Sequence, residues 1–320
     1  MRLKDRMKFP ITEVDVVTMG ELLIDMISTD YVPTLKEAVH FQKSFGGSPG
    51  NIAVNLAKMK HQSALIASIG EDDFGRFLMD FLLEQSVLTE GIQRASIHTS
   101  MVFVTKSMEN PLFLPMRGAD RELTLQEEQY NLIDRSKIFH FTAWALSYPD
   151  IRRVTLELLH YARRKNKLIT FDPNYREILW EPGHEGPDFI RESILPLVDI
   201  IKPSETDAEH LWGKHSLQEY VKLFQQTKDL LVILTLGAEG VLVMDGEETL
   251  RIPSHAKEVV DTTGAGDAFW AGFMGGLLRG ITVEEALFQG SYSAGYKLGT
   301  MGAICELPDQ EALQNWVISG

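Results

Sequence analysis

Along the chain, short apolar runs of strand length alternate with longer stretches in which apolar positions recur every three or four residues. Val14–Met19 reads as a buried strand that ends at Gly20. Asn51–Met59 has helical spacing, Ser63–Ile69 reads as a strand and Phe74–Gln85 as a helix. Ile138–Thr142 reads as another strand. Ile151–Lys165 carries Ile151, Val154, Leu158, Leu159 and Ala162 as one stripe, the pattern of an amphipathic helix. Leu168–Phe171, Val198–Ile201 and Leu231–Leu234 are further strand-length runs with helical stretches between them. The rhythm predicts an α/β fold, a doubly wound and mostly parallel sheet flanked by helices. Such sheets bind ligands beyond the carboxyl ends of their strands.

Two places break the rhythm. Met101–Lys106 and Leu112–Met116 are extended runs joined at Glu109-Asn110-Pro111, as in a hairpin, and Phe41–Phe45 is a further extended piece. Segments near 28–46 and 98–118 therefore predict a small antiparallel β lid on a single domain spanning residues 1–320. An exposed sheet has unsatisfied edges, so the lid is expected both to close over a ligand and to pair two copies into a homodimer. Glu181–Asp188, with two prolines and two glycines, reads as a surface loop.

Composition narrows the partners. The 320 residues are 44% hydrophobic and carry a formal net charge of −14. An acidic surface argues against nucleic acid or an anionic membrane as partner, while leaving room for a local anion site. The single cysteine, Cys305, permits no disulfide within the chain and points to a reducing compartment. No apolar run approaches the ~20 residues that span a bilayer. Met1–Pro10 is basic and polar with no long apolar region after it, so a cytoplasmic location is expected.

The stretch richest in chemistry is Asp261-Thr262-Thr263-Gly264-Ala265-Gly266-Asp267-Ala268-Phe269. It is a turn of small residues running into a helix, whose own stripe of Ala268, Ala271, Gly272, Gly275 and Gly276 allows close packing. Backbone N–H groups of Gly264, Ala265 and Gly266 would stand open at the helix N-terminus, where the dipole favours an anion. A carboxylate beside a bound phosphate is costly unless it accepts a proton from the attacking hydroxyl, and Asp267 stands there. The turn alone is equally compatible with an N-capping aspartate. A dinucleotide fingerprint fails because Phe269 stands where the third glycine is needed, and no G-x-x-x-x-G-K-[ST] loop occurs. Upstream, Phe45-Gly46-Gly47-Ser48-Pro49-Gly50-Asn51 precedes a helix. Its glycines permit close approach of a ligand, and Asn51 offers a donor and an acceptor to a polyol. Read alone, this too could be a turn and a cap.

Taken together, in this order and separation, the two stretches resemble the ribokinase-like (PfkB) carbohydrate kinases, and the likeness covers nearly the whole chain. Gly46-Gly47, Asn51 and Gly70 in Ile69-Gly70-Glu71-Asp72-Asp73-Phe74-Gly75 are similar to the family's first signature, with Lys60 where Gly or Ser is usual. Asp261 to Asp267 is similar to the second. The resemblance implies an ATP-dependent sugar kinase with Asp267 as catalytic base and the Gly264, Ala265 and Gly266 amides as anion hole. It implies that Asp25, Gly46, Gly47 and Asn51 bind the sugar. It implies that Ser204 and Asp207, an altered form of the family's Asn-x-x-Glu motif, and Thr235, Gly237 and Gly240 serve the nucleotide and its Mg²⁺. Asp261 and Thr263 fall where many members bind a monovalent cation such as K⁺.

Arg117 beside the lid, with Asn174 and Arg176 after the strand Leu168–Phe171, resemble the pattern of fructokinases and of 2-keto-3-deoxygluconate kinases. A guanidinium can hold a sugar oxygen, a carboxylate or a phosphoryl group. Pro115-Met116 before Arg117, where acid-sugar kinases often place Tyr, favours a neutral ketohexose. The expected reaction is phosphorylation of a hydroxymethyl group of fructose. 2-Keto-3-deoxygluconate kinase, ribokinase, a catalytically idle sugar- or nucleotide-binding regulator and a nicotinamide oxidoreductase stand as alternatives.

Overall fold

The computed structural model describes residues 1–106, 112–181, 186–245, 248–308 and 311–312. Its strands are β1 (Val16–Met19), β2 (Leu23–Tyr31), β3 (Phe41–Gly46), β4 (Ser63–Gly70), β5 (Ile92–Ala95), β6 (Met101–Lys106) and β7 (Phe113–Met116). They continue as β8 (Ile138–Thr142), β9 (Leu168–Asp172), β10 (Ile200–Ile201), β11 (Leu231–Val232), β12 (Leu234–Thr235), β13 (Val241–Asp245) and β14 (Glu248–Ile252). Seven of them form a parallel sheet in the order β11-β10-β9-β8-β1-β4-β5. Every residue of β1, β4, β8 and β9 is buried, because helices cover both faces. Alternate residues serve the two layers. Val16, Ile138 and Leu168 pack with Ile52, Leu56, Trp270 and Phe273 from one set of helices. Val17, Phe139 and Ile169 pack with Val154, Leu158 and Leu159 of the amphipathic helix Pro149–Arg164 on the other side.

The strand order reverses at β1, which lies between β4 and β8. Chains leaving β1 and β8 turn to opposite sides there, toward β4 and toward β9, and a crevice opens above the strand ends. The helix Ala265–Leu278 bounds it. Its small-residue stripe lets it lie against the helix Val283–Leu298, so closely that a Cβ at Gly272 would stand 2.3 Å from Ser293 Oγ.

The lid is a four-stranded sheet in the order β3-β2-β6-β7, but it is mixed rather than antiparallel. β2 pairs antiparallel with β3, β6 antiparallel with β7, and β2 parallel with β6. Both β2 and β6 leave the main sheet in the same direction, and the chain returns through the core between them. β2 follows β1 after only three residues, so the apolar pattern of the two merged in the sequence. β5 and the β12-β13-β14 sheet were likewise not marked by a long apolar run, and Leu231–Leu234 divides between two sheets. Lys60 forms the expected helix-to-strand turn with φ 68, a left-handed conformation that explains the usual preference for glycine there. The expected turn at Glu109-Asn110-Pro111 and residues 182–185 of the expected loop Glu181–Asp188 lie outside the described residues, while Gly186–Asp188 open the short helix Gly186–Phe189 and are not loop.

Candidate active site

The strand ends deliver their side chains to one cleft. Glu21 follows β1, Thr142 ends β8, Asp172 ends β9 and Lys202 follows β10; all four are buried and line it. The lid faces the cleft with Leu23, Asp25, Ile27, Val102, Val104 and Phe113. Register accounts for that set, since Asp25 lies opposite Val102, Ile27 opposite Val104, and Val104 opposite Phe113.

Asp267 stands across from them, in the first turn of the helix Ala265–Leu278. Gly264 enters that helix at φ 77, and a Cβ there would lie 2.6 Å from Ala303 Cα, so no other residue fits without displacing the chain. Ser48 Oγ donates to Asp267 Oδ1 at 2.6 Å, and Asn51 Nδ2 donates to Oδ2 at 2.9 Å. Both donors come from the helix Ser48–Lys58, so the carboxylate is not spent on capping its own helix. Burial pushes the Asp267 carboxyl above its ordinary value, against the lowering effect of Ser48 and Asn51. Asn51 Oδ1 is buried without a protein partner, an acceptor left available on a cleft-lining residue. Of the three expected cradle residues, Gly264 and Gly266 line the cleft, while Ala265 closes a turn by donating its N–H to the Thr262 carbonyl at 3.3 Å.

Two more carboxyls share the cleft. Glu21 accepts from Ser48 N–H at 3.1 Å and Thr142 Oγ at 2.9 Å, and burial pushes it up to about 8. Asp25 is pushed up to about 7, by burial first and then by the charge of Asp267. Gly46 packs against the Asp25 carboxylate from behind, and Gly47 and Asn51 line the cleft itself.

Lys202 and Asp172 were not anticipated. Lys202 Nζ is 2.8 Å from Asp172 Oδ2, which also accepts from Trp270 Nε1 at 2.8 Å. The same ammonium lies 3.3 Å from where a Cβ on Gly266 would stand, so it sits beside the glycine turn. The available signal was positional: each is the polar residue that ends or follows an apolar strand at its carboxyl end.

The other expected residues divide. Asn174, at φ 33, and Arg176 stand exposed on the rim, with the Arg176 guanidinium 6.0 Å from the Phe113 ring centroid. Arg117 does not reach the cleft. Its Nε and Nη2 donate to Asp120 and its Nη1 to Ser147, behind Trp144, because Asp120 is fully buried and needs a cation. Ser204 and Asp207 form a reciprocal cap on the helix Glu205–Trp212, and Asp207 Oδ1 accepts from Tyr175 N–H at 2.7 Å. Both line the cleft with Thr235, whereas Gly237 and Gly240 form the turn after β12 outside it. Asp261 Oδ1 accepts from Thr263 N–H at 2.9 Å and Oδ2 from Gly302 N–H at 2.8 Å. Among the described residues, no three His, Cys, Asp or Glu side chains are grouped to hold a metal, and no helix is long and apolar enough to cross a membrane.

Comparison with known proteins agrees with this geometry. Residues 14–310 match the pfkB family carbohydrate kinases. The chain is 42% identical to an ATP-dependent 6-phosphofructokinase of Thermoanaerobacterium thermosaccharolyticum over 97% of this chain and 96% of that one. It is also 42% identical to the fructokinase of Halothermothrix orenii, whose structure superposes with TM-score 0.79 over 87% of this chain and 98% of that one. A double-mutant fructokinase of Vibrio cholerae O395, solved with fructose, ADP and potassium, is 26% identical with TM-score 0.80, covering 96% of this chain and 100% of that one.

Proposed function

This chain belongs to the pfkB family of carbohydrate kinases, and from that premise we propose that it transfers the γ-phosphate of ATP to a hydroxymethyl oxygen of fructose. The observation that carries the reading is Asp267: a buried carboxylate held from a second helix, at the mouth of a glycine turn, with a lysine beside it. Ser48 and Asn51 aim its oxygens into the cleft. A pKa raised by burial makes it a stronger proton acceptor than an ordinary aspartate. The reaction then needs one proton moved from the sugar hydroxyl to Asp267 as the oxygen attacks phosphorus. Charge on the transferring phosphoryl group is met by the backbone amides of Gly264 and Gly266, which line the cleft, and by Lys202.

Asp25 and the free Asn51 Oδ1 accept hydroxyls of the sugar, and Leu23, Val102, Val104 and Phe113 cover its apolar edges. Closure of the lid over a bound sugar would exclude water that otherwise competes as nucleophile. Mg²⁺ accompanies ATP in such transfers, but the carboxylates nearest Thr235 do not form a shell for it. Asp207 is spent on Ser204 and Tyr175, and Asp172 on Lys202 and Trp270. The ion would be carried by phosphate oxygens and water. The chain would work as a homodimer joined through its lids, in the cytoplasm.

A second substrate, fructose 6-phosphate, is favoured by Arg176. It lines the cleft rim and makes no ion pair among the described residues, so its charge is available for a phosphate carried by the sugar. A coupled ADP-release assay over fructose, fructose 6-phosphate, 2-keto-3-deoxygluconate and ribose decides. Fructose should give the highest kcat/KM. A tenfold preference for fructose 6-phosphate, lost on Arg176→Ala while fructose turnover holds, would assign the second substrate.

A further inference from the structure

Lys297, in the helix Val283–Leu298, is 0% exposed, one of the larger side chains in the molecule with no contact with water. A buried ammonium needs compensation, normally a carboxylate. None is within ion-pair distance among the described residues. Instead Nζ donates to two backbone carbonyls, that of Asp261 at 2.7 Å and that of Thr300 at 3.2 Å. The Asp261 charge supports the ammonium against the burial that depresses its pKa.

These carbonyls belong to two loops that meet at the phosphate turn. Residues 261–264 lead into the helix of Asp267, and residues 300–303 lie across them. Gly302 N–H donates to Asp261 Oδ2, and Ala303 packs against Gly264. Lys297 thus pins the two loops at their crossing. At Asp261 and Thr263, where a monovalent cation is expected, the chain already supplies a cation of its own. The Asp261 carboxylate oxygens accept the Thr263 and Gly302 amides, and its carbonyl accepts the ammonium. Potassium is present in the Vibrio cholerae fructokinase structure. An ammonium matches K⁺ in charge and nearly in size.

We propose that Lys297 is a tethered monovalent cation: a positioning residue whose ammonium holds the loops of the phosphate turn, so that this kinase works without added K⁺. This rests on the sugar-kinase reading only for its kinetic test. In wild type, kcat measured in K⁺, Na⁺ or choline at equal ionic strength (~0.1 M) should agree within about twofold. In Lys297→Ala, kcat in choline should fall at least about tenfold, and K⁺ or NH₄⁺ but not choline should restore several-fold of it. Thermal melting supplies a readout free of turnover. K⁺ should raise the Tm of Lys297→Ala and leave wild type unmoved, as a ligand of the vacated site must. Tenfold activation of wild type by K⁺ would overturn the proposal, and so would full kcat in choline for Lys297→Met, which keeps the chain length and serves if the alanine variant does not fold. If wild type phosphorylates no sugar, the kinase reading has failed, and the melting comparison still judges Lys297.

Discussion

An aspartate that caps a helix and one that takes a proton respond differently to Asn. Asn keeps the size and one acceptor, so a cap survives the exchange with little change. As a base it fails, and general-base assistance is worth about 10²–10⁴-fold, or roughly 3–5 kcal/mol of barrier. Asp267→Asn should therefore lower kcat by at least about a hundredfold, with sugar and ATP affinities within about 1 kcal/mol of wild type. Steady-state kinetics with a melting control reads both, and an unchanged kcat would return Asp267 to the role of a cap. Glu21 makes a separate prediction. Its ordinary value is 4.5, and the folded protein holds it at about 8. Between those values the folded state keeps a proton that the unfolded chain has released, so stability falls as pH rises. Unfolding by denaturant from about pH 5 to about pH 8 should show this decline, to which Asp25 at about 7 adds, and Glu21→Gln should make it shallower. A slope unchanged in the variant assigns the decline to another group. At this scale the sequence pointed to cleft-lining residues whose identity is constrained by a turn or by a motif: Asp267, Gly264, Gly266 and Asn51. It was silent on Lys202, Asp172, Glu21 and Ser48, because their importance lies in the strand ends they occupy, and those ends meet only once the strand order is known.

β1, β4, β8 and β9 of the main sheet were legible because both their faces are buried, which writes each as a continuous apolar run bounded by turns. β2 was not, since one side of it faces the polar cleft and the other carries Ile24 and Met26, giving no clean run. The β13-β14 hairpin escaped for a similar reason, its outer strand being mostly exposed. Arg117 shows how a motif misleads at this level. Its sequence neighbourhood is that of the lid, yet the short turn after β7 carries it behind Trp144 to Asp120. The side chain fixes the lid to the sheet instead of reading the sugar. Removing it leaves the buried Asp120 carboxylate without its cation, a loss of about 3–5 kcal/mol. Arg117→Ala should accordingly lower the unfolding free energy by that order, while the sugar KM of the folded fraction moves by less than about threefold. A large rise in KM at unchanged stability would put the guanidinium back in the sugar site.

On the scale of the whole molecule, a surface with net charge −14 keeps copies apart unless a local apolar face overrides it. The lid has such a face. Strand alternation sends Asp25, Ile27, Val102, Val104 and Phe113 inward and the intervening residues to the other side, where Met26 and Met101 pack with Ile24 and Phe45 against the helix Asp73–Glu84, while Phe41, Phe103, Leu114 and Met116 lie beyond that contact. Phe41 and Phe103 meet edge to face at 5.3 Å, while Leu114 and Met116 are 43% and 46% exposed. A single sheet with one side on the cleft and an apolar other side is half of a sandwich, and a second copy of the same lid would complete it. β7 forms one edge of the lid and β3 the other; at β7 Pro115 has no N–H to offer, which on that edge favours face-to-face packing over edge-to-edge extension. Glutamates at Leu114 and Met116 add charge to the outer face and leave the cleft-lining residues untouched. Leu114→Glu with Met116→Glu should convert a dimer to a monomer in sedimentation equilibrium. The main sheet supplies most of the buried core, so the Tm should change little. Because the roof of each cleft is then braced by nothing, the sugar KM should rise by about threefold to tenfold while kcat at saturation persists. If wild type sediments as a monomer, the apolar face needs another occupant. If the double variant remains a dimer, the two chains meet elsewhere than at the lid.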